Sequence, residues 1–529
     1  MTTCVLCGNS SSRNTETLPS PCTHVEENSA LSCGVCSELS RLDQNIEGIK
    51  CSLESAIEQR HAYLERVNHR YDPIRRLPVE LVTFVFTLCL PRPPSLDFFD
   101  LNDEMKRDLA SRPVQFLLGS ICRFWRQIVL STPQLWNILW LHVSPRTTMA
   151  QSEVLVEWLG HSGQLPLYVA MFYLEEYTSH DEGSATPAIN QMIDTLYPYA
   201  SRMRVLHLFL LGQQISRFGR RPANVSVVVN TTNTILEELS INVISRLLYS
   251  GDGFRLVDQK PKPTHVSFKG MIPQAICVHW GHVTSVEAQG VRKIDVLQLL
   301  KMAPQLQQLK ISIMADNCRF VPITHGFLKI LDVVFYNPGP FLEYLTCPVL
   351  EELTYYCNPT LAAFLGRSAC PLRKLSVEKF SGFSENLVSV LLLTPLLTHL
   401  SLKDFGLPSR FLTPFAETAY FGHNNSETGS FLSHLRSFTC NVSFYRFRWS
   451  KIPSLVPQPP DTAMAVRPLS EITITFDQEA DLKDVRHAMD RETLAQTLKL
   501  VQDGGVVLKV RDIAGLDLIR WSELFHNMI

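Results

Sequence analysis

The sequence predicts an α plus α/β fold, in which a long N-terminal helix and a small helical unit precede an irregular α/β solenoid. Apolar residues alternate at steps of three and four over the first helix, two short apolar segments bounded by prolines follow, and a leucine-containing phrase recurs through the second half. A chain of 529 residues also exceeds one hydrophobic core, since single cores stop growing at about 250 to 300 residues. We divide it into segments 1–37, 38–71, 72–140, 141–200 and 201–529, and interpret the fourth as a connection.

The first 37 residues are rich in Ser, Thr, Asn, Pro and Cys without periodicity, which indicates a flexible or metal-organised tail. The pairs Cys4-x-x-Cys7 and Cys33-x-x-Cys36 could supply four thiolates to a tetrahedral zinc ion. However, the stretch between them is polar and structureless, which favours a disordered tail with idle cysteines. We therefore predict no metal and no cofactor, and keep zinc as an alternative.

An apolar stripe then predicts a helix from about Glu38 to Arg70, which Pro73 ends. Its members occupy the a and d positions of a heptad: Leu39, Leu42, Ile46, Ile49, Leu53 and Ala56. Arg60 interrupts the seam, and Tyr63 and Val67 resume it. Two interpretations stay open, because about three unbroken heptads are the lower limit for a coiled coil. The helix either packs on the next domain or forms a homodimer with a second copy.

Two apolar segments, residues 79–90 and 117–130, predict short buried helices in the unit 72–140. Pro91 closes the first and Pro133 lies just beyond the second. Residues 92–112 between them carry prolines and acidic residues, so we expect a surface loop. We expect Trp125 to lock the last helix of this unit against the first.

Beyond residue 200, a phrase with apolar residues at its first, fourth and sixth positions recurs along the chain. It begins at Met203, Leu236, Leu306, Leu328, Leu350, Leu372 and Leu397, with weaker versions at Leu435 and Leu469. The four phrases from Leu306 to Leu372 are 22 residues apart, inside the window of about 20 to 29 residues for leucine-rich repeats. Each phrase predicts a short strand with inward leucines. The usual Asn or Cys that follows is present only at Asn358, which predicts an irregular leucine-rich-repeat-like α/β solenoid.

Positions that alternate with the inward leucines should stack into one extended surface. The residues that we expect to bind a protein substrate there are Lys310, Asp332, Tyr356, Glu378 and Lys403. Both charge signs with one tyrosine fit a protein partner better than a polyanion. A merely solvated face is the alternative, since a strand that meets water needs polar residues anyway.

The composition argues against several classes of partner. A net charge of -2 is unlike the basic excess of proteins that bind nucleic acid or anionic membranes. The longest apolar runs fall short of the roughly 20 residues that span a bilayer, and residues 1–12 do not resemble a secretory signal. We therefore expect an intracellular protein, cytoplasmic or nuclear, in which disulfides are rare.

Two enzyme-like motifs fail on inspection, so we expect no catalytic residues. Gly160-His161-Ser162-Gly163-Gln164 lacks the last glycine of a nucleophile elbow. His279-x-x-His282 lacks the spacing and the glutamate of a zinc protease helix.

The start and the end of the unit 72–140 carry specific motifs. Asp72-Pro73-Ile74-Arg75-Arg76-Leu77-Pro78-Val79-Glu80-Leu81 opens it, and Ile121-Cys122-Arg123-Phe124-Trp125-Arg126 followed by Pro133-Gln134-Leu135-Trp136 closes it. These segments resemble the F-box pattern, in the version found in the large F-box-like families of mushroom-forming fungi. The match covers residues 38–210 and continues beyond them only as a style of repeat. The insert 92–112 is longer than in common F-boxes.

The resemblance implies a non-catalytic adaptor subunit of an SCF-type cullin-RING ubiquitin ligase. In that family the F-box binds a small Skp-type adaptor and the repeats bind the substrate. The residues that would contact the adaptor are Pro73, Ile74, Leu77, Pro78, Glu80, Leu81, Phe84, Val85 and Leu88. Two alternatives remain: an interaction scaffold with a diverged F-box, or a regulator whose cysteine-rich tail holds zinc.

Overall fold

The computed structural model describes most of the chain beyond residue 33, with gaps. The described residues are 34–71, 74–90, 113–144, 147–173, 187–220, 222, 234–244, 253–256, 260–314, 321–335, 341–379, 387–403, 409–417, 431–443, 447–455, 468–479, 488–504 and 506–528. Contacts divide it into two units, Met1–Val82 and Thr83–Ile529. Cys4, Cys7, Cys33, Pro73 and the insert 92–112 lie outside the described residues, as does the side chain of Cys36.

The first unit contains the long N-terminal helix, α1 (Gly34–Tyr71), which confirms the predicted helix and begins one turn earlier. Every side chain described on α1 is exposed. Its large apolar residues, called the α1 stripe below, are Leu39, Leu42, Ile46, Ile49, Leu53, Ile57, Tyr63, Leu64, Val67 and Tyr71. Two exposed ion pairs lie on this helix, Arg41 with Glu38 and Lys50 with Glu47. In each pair the two residues are one turn apart.

The described residues that follow form three short helices: α2 (Val79–Leu88), α3 (Val114–Ile121) and α4 (Arg123–Ser131). The apolar segment 117–130, predicted as one helix, is two. Cys122 separates them, because its extended backbone ends α3 while its Sγ accepts a hydrogen bond from the Trp125 N–H at 3.4 Å and caps α4. The cysteine of the closing motif therefore has a local structural task.

Fourteen strands of the described chain form one parallel sheet, and their order in the sheet is their order in the sequence. They are β1 (Ile138–Val143), β2 (Leu167–Tyr173), β3 (Met203–Leu210), β4 (Glu238–Val243), β5 (His265–Lys269), β6 (Ser285–Arg292), β7 (Gln308–Met314), β8 (Ile330–Phe335), β9 (Glu352–Cys357), β10 (Lys374–Lys379), β11 (His399–Lys403), β12 (Ser437–Val442), β13 (Glu471–Phe476) and β14 (Val507–Arg511). Because parallel neighbours need a crossover connection, each strand is followed by a segment that returns to the start of the next.

In the described chain, the connections and the segment after β14 carry the other α-helices. These are α5 (Met149–His161), α6 (Pro187–Leu196), α7 (Gly212–Arg217), α8 (Lys293–Met302), α9 (Pro359–Ser368), α10 (Leu387–Leu392), α11 (Ser409–Glu417), α12 (Arg491–Gly504) and α13 (Leu518–Met528). Asn358 is the one repeat position that carries the expected Asn or Cys. It caps α9 by accepting a hydrogen bond from the Leu361 N–H at 3.1 Å. In the described chain, no helix is long and apolar enough to cross a membrane.

The phrase spaced by 22 residues corresponds to one row of the sheet. Leu309, Leu331, Leu353, Leu375 and Leu400 are register partners on β7 to β11, and each is at most 2% exposed. Aromatic side chains from the connections pack on this face, for example Trp280 on Phe268 at 6.4 Å between ring centroids. The core therefore lies between this face and the connecting segments.

The sheet begins earlier than the sequence indicated. β1 and β2 precede residue 201, in the segments 72–140 and 141–200 for which the sequence predicts the helical unit and the connection. β2 is buried at six of its seven positions, so it lacks the alternation of leucine with polar residues that marked later strands. β5 and β6 were missed because Val266, Phe268, Val286 and Ala288 occupy the inward positions in place of leucine.

Candidate functional site

Helix α2 carries an apolar face that the described part of the chain leaves exposed. Leu81, Phe84, Val85 and Leu88, called the α2 face below, share one side of the helix at positions i, i+3, i+4 and i+7. Their exposures are 50%, 59%, 44% and 69%. Val82 and Phe86, on the other side, are buried. A surface helix normally presents polar residues to water. The prediction of a buried helix is therefore correct for the side of Val82 and Phe86 only, and the outward face needs another explanation.

Contacts inside the second unit orient the C-terminal half of this helix. The Phe86 ring packs against the Trp125 ring of α4, with centroids 4.8 Å apart. Trp125 is half-buried, so it contacts α2 as expected while keeping one side in water. With Phe86 held on α4, the side that carries Phe84, Val85 and Leu88 points away from the unit.

Helices α3 and α4 add further exposed apolar residues: Phe116, Leu117, Ile121 and Leu130. The remaining residues expected to contact an adaptor lie just before α2 or in its first turn. Of these, Leu77, Pro78 and Glu80 are exposed and Ile74 is half-buried. Exposed apolar residues are thus frequent on the helices that precede the sheet, which is typical of a surface that binds a partner.

The end of the closing motif joins α3 and α4 to the sheet. Trp136 is 2% exposed, and its Nε1–H donates to the Val129 carbonyl at 2.7 Å. Its ring meets Phe116 and Trp158 edge-on, at 5.8 and 5.5 Å between centroids. Gln115 donates to the Leu135 carbonyl at 2.7 Å. One aromatic cluster therefore connects α3, α4, α5 and the segment that enters β1.

The second candidate surface is the face of the sheet opposite the leucine rows. Lys310 and Asp332 are register partners on β7 and β8, and Tyr356, Glu378 and Lys403 are partners on β9, β10 and β11. Neighbouring parallel strands lie about 4.8 Å apart. The structure thus brings the five residues expected to bind a substrate onto one face. Lys310 and Lys403 are exposed, and the other three are half-buried.

Charges on this face are largely balanced across neighbouring strands. Lys310 contacts Glu287 at 3.1 Å, Lys374 contacts Glu352 at 2.7 Å, and Lys509 contacts Glu471 at 2.6 Å. A surface of alternating sign does not create the field that attracts a polyanion. It suits a partner that brings both charges, as a protein surface does.

Asp332 is a charged residue of this face whose carboxylate is not fully hydrogen-bonded within the described chain. Its Oδ1 is buried and accepts no hydrogen bond from the described chain. Burial raises the pKa of the Asp332 carboxyl, although the cations Lys310 and Lys403 act in the opposite direction. Desolvated carboxylates cluster at binding sites, which makes Asp332 the candidate anchor of the polar face.

We expect Asp332→Asn to keep or slightly increase the stability of the protein at pH 7, by no more than about 1 kcal/mol. A carboxyl whose pKa is higher in the folded than in the unfolded chain destabilises the fold when ionised, and that penalty is relieved as pH falls through the raised pKa. The wild-type protein should therefore gain stability relative to the variant as the pH is lowered. Urea denaturation between pH 4 and 8 measures this.

Lys403→Met serves as the matched variant, because it removes one of the two cations that oppose the effect of burial. Without this cation the pKa of Asp332 should rise further, so the change of stability with pH should occur at higher pH. A stability difference between wild type and Asp332→Asn that is constant with pH would contradict a raised pKa at this carboxyl.

Sequence reasoning missed an aromatic group at the start of the same face. The Trp140 ring on β1 stacks on Phe172 of β2, with centroids 5.6 Å apart and planes 7° apart, and His142 stacks on the same ring. Phe209 of β3 is the register partner of Phe172. In the sequence, these aromatic residues alternate with inward apolar residues, which indicates that they share one face of the sheet. The alternation was not recognised because both faces of these strands are largely apolar.

The two enzyme-like motifs lie in the second unit. Ser162 is buried, donates to the Leu159 carbonyl at 2.6 Å and accepts from Arg202 at 2.9 Å, which stabilises the turn after α5. The rings of His279 and His282 lie 6.3 Å apart around the buried Trp280. Among the described residues there is no group of three or more acidic, histidine or cysteine side chains that could hold a metal.

The buried cysteines of the second unit are poor nucleophiles. Burial raises the pKa of the Cys347 and Cys440 thiols to about 12 and that of Cys357 to about 11. Thiolates, which react and bind metals, are therefore scarce at these positions at neutral pH. None of the eight cysteines whose side chains the structure describes is in a disulfide.

No protein-family model matches this chain, and no curated protein is significantly similar to it in sequence.

Proposed function

We propose that this chain is a substrate-recognition subunit of a cullin-RING ubiquitin ligase, in which the helices before the sheet bind a Skp-type adaptor and the sheet holds a protein substrate. The observation that carries the proposal is the α2 face, four large apolar side chains aligned on one side of a helix and exposed to water. This face begins within the segment that resembles an F-box.

An apolar helix face is a common recognition element, because it inserts into a groove of the partner through residues at i, i+3, i+4 and i+7. Phe84 and Leu88 are the most exposed members of the α2 face, and they are the proposed anchors. Leu77 and Pro78, in the turn that leads into α2, would extend the contact with the adaptor.

The sheet supports the second half of the proposal. Strands that follow each other in chain order, with inward leucines in register, are what a leucine-rich-repeat-like solenoid requires. In such an array the face opposite the leucines is the surface on which partners bind. Lys310, Asp332, Tyr356, Glu378 and Lys403 would contact the substrate there. The chain would act without a cofactor and without catalytic residues of its own.

The proposal predicts that the full-length protein captures a purified Skp-type adaptor and that Phe84→Ala weakens this binding about 30-fold. An apolar anchor at the centre of an interface is worth about 2 kcal/mol, and every 1.4 kcal/mol is a factor of about ten in affinity. Phe84 is 59% exposed, so its removal should not unfold the chain. Isothermal titration calorimetry measures the change.

Leu392→Ala is the matched control, because Leu392 is 61% exposed and lies in α10, outside the helices that precede the sheet. It should bind the adaptor like the wild type. Absence of binding by the folded wild-type protein would reject the proposal and favour an interaction scaffold with a diverged F-box. Equal weakening by both variants would show that the contact is non-specific.

A further inference from the structure

Helix α1 presents an apolar stripe that the described residues of the first unit leave exposed. Thirty-eight residues form one uninterrupted helix, which is about 57 Å long at 1.5 Å per residue. The α1 stripe follows the heptad seam from Leu39 to Leu53 and then broadens, because Ile57, Leu64 and Tyr71 are exposed beside Tyr63 and Val67. An isolated helix with such a stripe gains little stability in water, since most helical stability comes from packing an apolar face.

At one point in α1 the apolar residues shift their position relative to the heptad repeat. The shift lies beyond Leu53. Up to Leu53 the steps alternate between three and four, and the step from Leu53 to Ile57 is again four. This extra step is a stutter, which locally unwinds a coiled coil. The most apolar line beyond it runs through Ile57, Leu64, Val67 and Tyr71. Beyond Arg60 the seam therefore continues through Leu64, Val67 and Tyr71 to the end of the helix.

We propose that α1 pairs with α1 of a second copy of this chain, in antiparallel orientation. Residues 34–47 carry a net charge of -2, from Glu38, Asp43 and Glu47 against Arg41. Residues 60–71 carry +2, from Arg60, Arg66 and Arg70 against Glu65. One helix with opposite charges at its two ends is complementary to itself only when the second copy runs the other way.

The position of Arg60 also opposes a parallel pair. In a parallel coiled coil each seam residue faces its own counterpart, so two Arg60 guanidinium groups would meet inside the seam. Glu38 and Asp43, five residues apart, would form a flanking pair of like charge between the copies. An antiparallel pair removes both repulsions, because Arg60 then faces the opposite half of the partner helix.

The apolar surface is large enough for a stable pair. Burial of a large apolar side chain removes about 60 to 120 Å² from water. Ten such side chains on each of two copies would bury about 1,200 Å² even at the lower figure, which reaches the range of about 1,200 to 2,000 Å² for specific interfaces. Antiparallel pairing would also separate the two points where the chains leave α1 by about 50 Å.

Sedimentation of the full-length protein at micromolar concentration tests the proposal. The wild type should sediment at twice the monomer mass. Ile46→Glu combined with Ile49→Glu places charges in the seam and should give a monomer. Ser40→Glu combined with Gln44→Glu adds the same charge on the outer side of the helix and should leave the dimer intact. A monomeric wild type would overturn the proposal, as would a dimer that the seam variant does not dissociate.

Orientation is tested with a photo-reactive benzophenone amino acid in place of Asp43, at the flank of the seam. In an antiparallel pair it should cross-link to residues 60–71 of the second copy, which lie too far along its own helix to be reached. Cross-links between copies confined to residues 38–50 would reject the antiparallel arrangement. The seam variant leaves the α2 face unchanged, so it should bind a Skp-type adaptor like the wild type, and loss of dimerisation is distinguishable from failure of the proposed function.

Discussion

Replacement of Trp136 by alanine should destabilise the start of the sheet by about 4 kcal/mol, since removing a buried tryptophan typically costs about 3 to 5 kcal/mol. Trp136 is 2% exposed and contacts Phe116 of α3 and Trp158 of α5 edge-on. Its indole also donates the hydrogen bond to the Val129 carbonyl of α4. Alanine would leave a cavity at the one point where α3, α4 and α5 meet the chain that enters β1.

Hydrogen exchange is the measurement of choice, because strands that contact only their neighbours can unfold locally. Amides of α4, β1 and β2 should exchange faster in Trp136→Ala, whereas those of β9 to β11 should not change. Trp136→Phe keeps one aromatic ring but loses the indole donor and part of the ring volume, so it should cost less than alanine, about 1 to 2 kcal/mol. The Val129 carbonyl still accepts from the Thr132 N–H at 3.3 Å. Wild-type exchange rates in Trp136→Ala would show that α3 and α4 do not depend on this cluster.

Phe438→Ala should destabilise the late part of the sheet by about 3 to 4 kcal/mol. Phe438 lies on β12 in register with Leu400 of β11 and Ile472 of β13, and it is fully buried. Its ring contacts Phe411 and Phe415 of α11 at 5.8 and 6.0 Å between centroids. Both partners are themselves fully buried, so the site cannot fill the space with a surface side chain.

Phe438→Leu is the matched control, because leucine occupies the equivalent position in β11. It should cost about 1 kcal/mol, since it keeps most of the apolar volume. Urea denaturation, combined with hydrogen exchange of β11 to β13, measures both variants. Equal effects of leucine and alanine would show that α11 shifts to fill the cavity, and that the three rings do not form one packed group.

A dimer through α1 would carry two copies of the proposed substrate surface. Two sites on one assembly raise the apparent affinity for a partner with two matching elements, because the second contact is intramolecular. The seam variant of α1 would lose this gain while each copy keeps its own polar face.

The sequence alone determined α1 and the central strands. The stripe from Leu39 to Leu53 predicts a helix with one apolar side, because a period near 3.5 residues repeats only on a helix. The interval of 22 residues predicts β7 to β10, since each phrase places its leucines on the same side of one strand. The recurring phrase also predicts that Lys310, Asp332, Tyr356, Glu378 and Lys403 share one face, because the side chains of a strand alternate between two faces.

Tertiary structure alone decided where the sheet begins and which side of α2 is covered. β5 and β6 carry inward residues other than leucine, and β2 is buried at six of its seven positions, so pairing with a neighbour identifies these strands. Most residues of α2 are apolar, which predicts burial, although Glu80, Thr83 and Thr87 lie along one side of the helix. The contact of Phe86 with Trp125 selects the covered side and leaves Phe84, Val85 and Leu88 exposed. Hydrophobicity shows that a residue is stabilised by burial, but packing between elements distant in sequence determines which residues become buried.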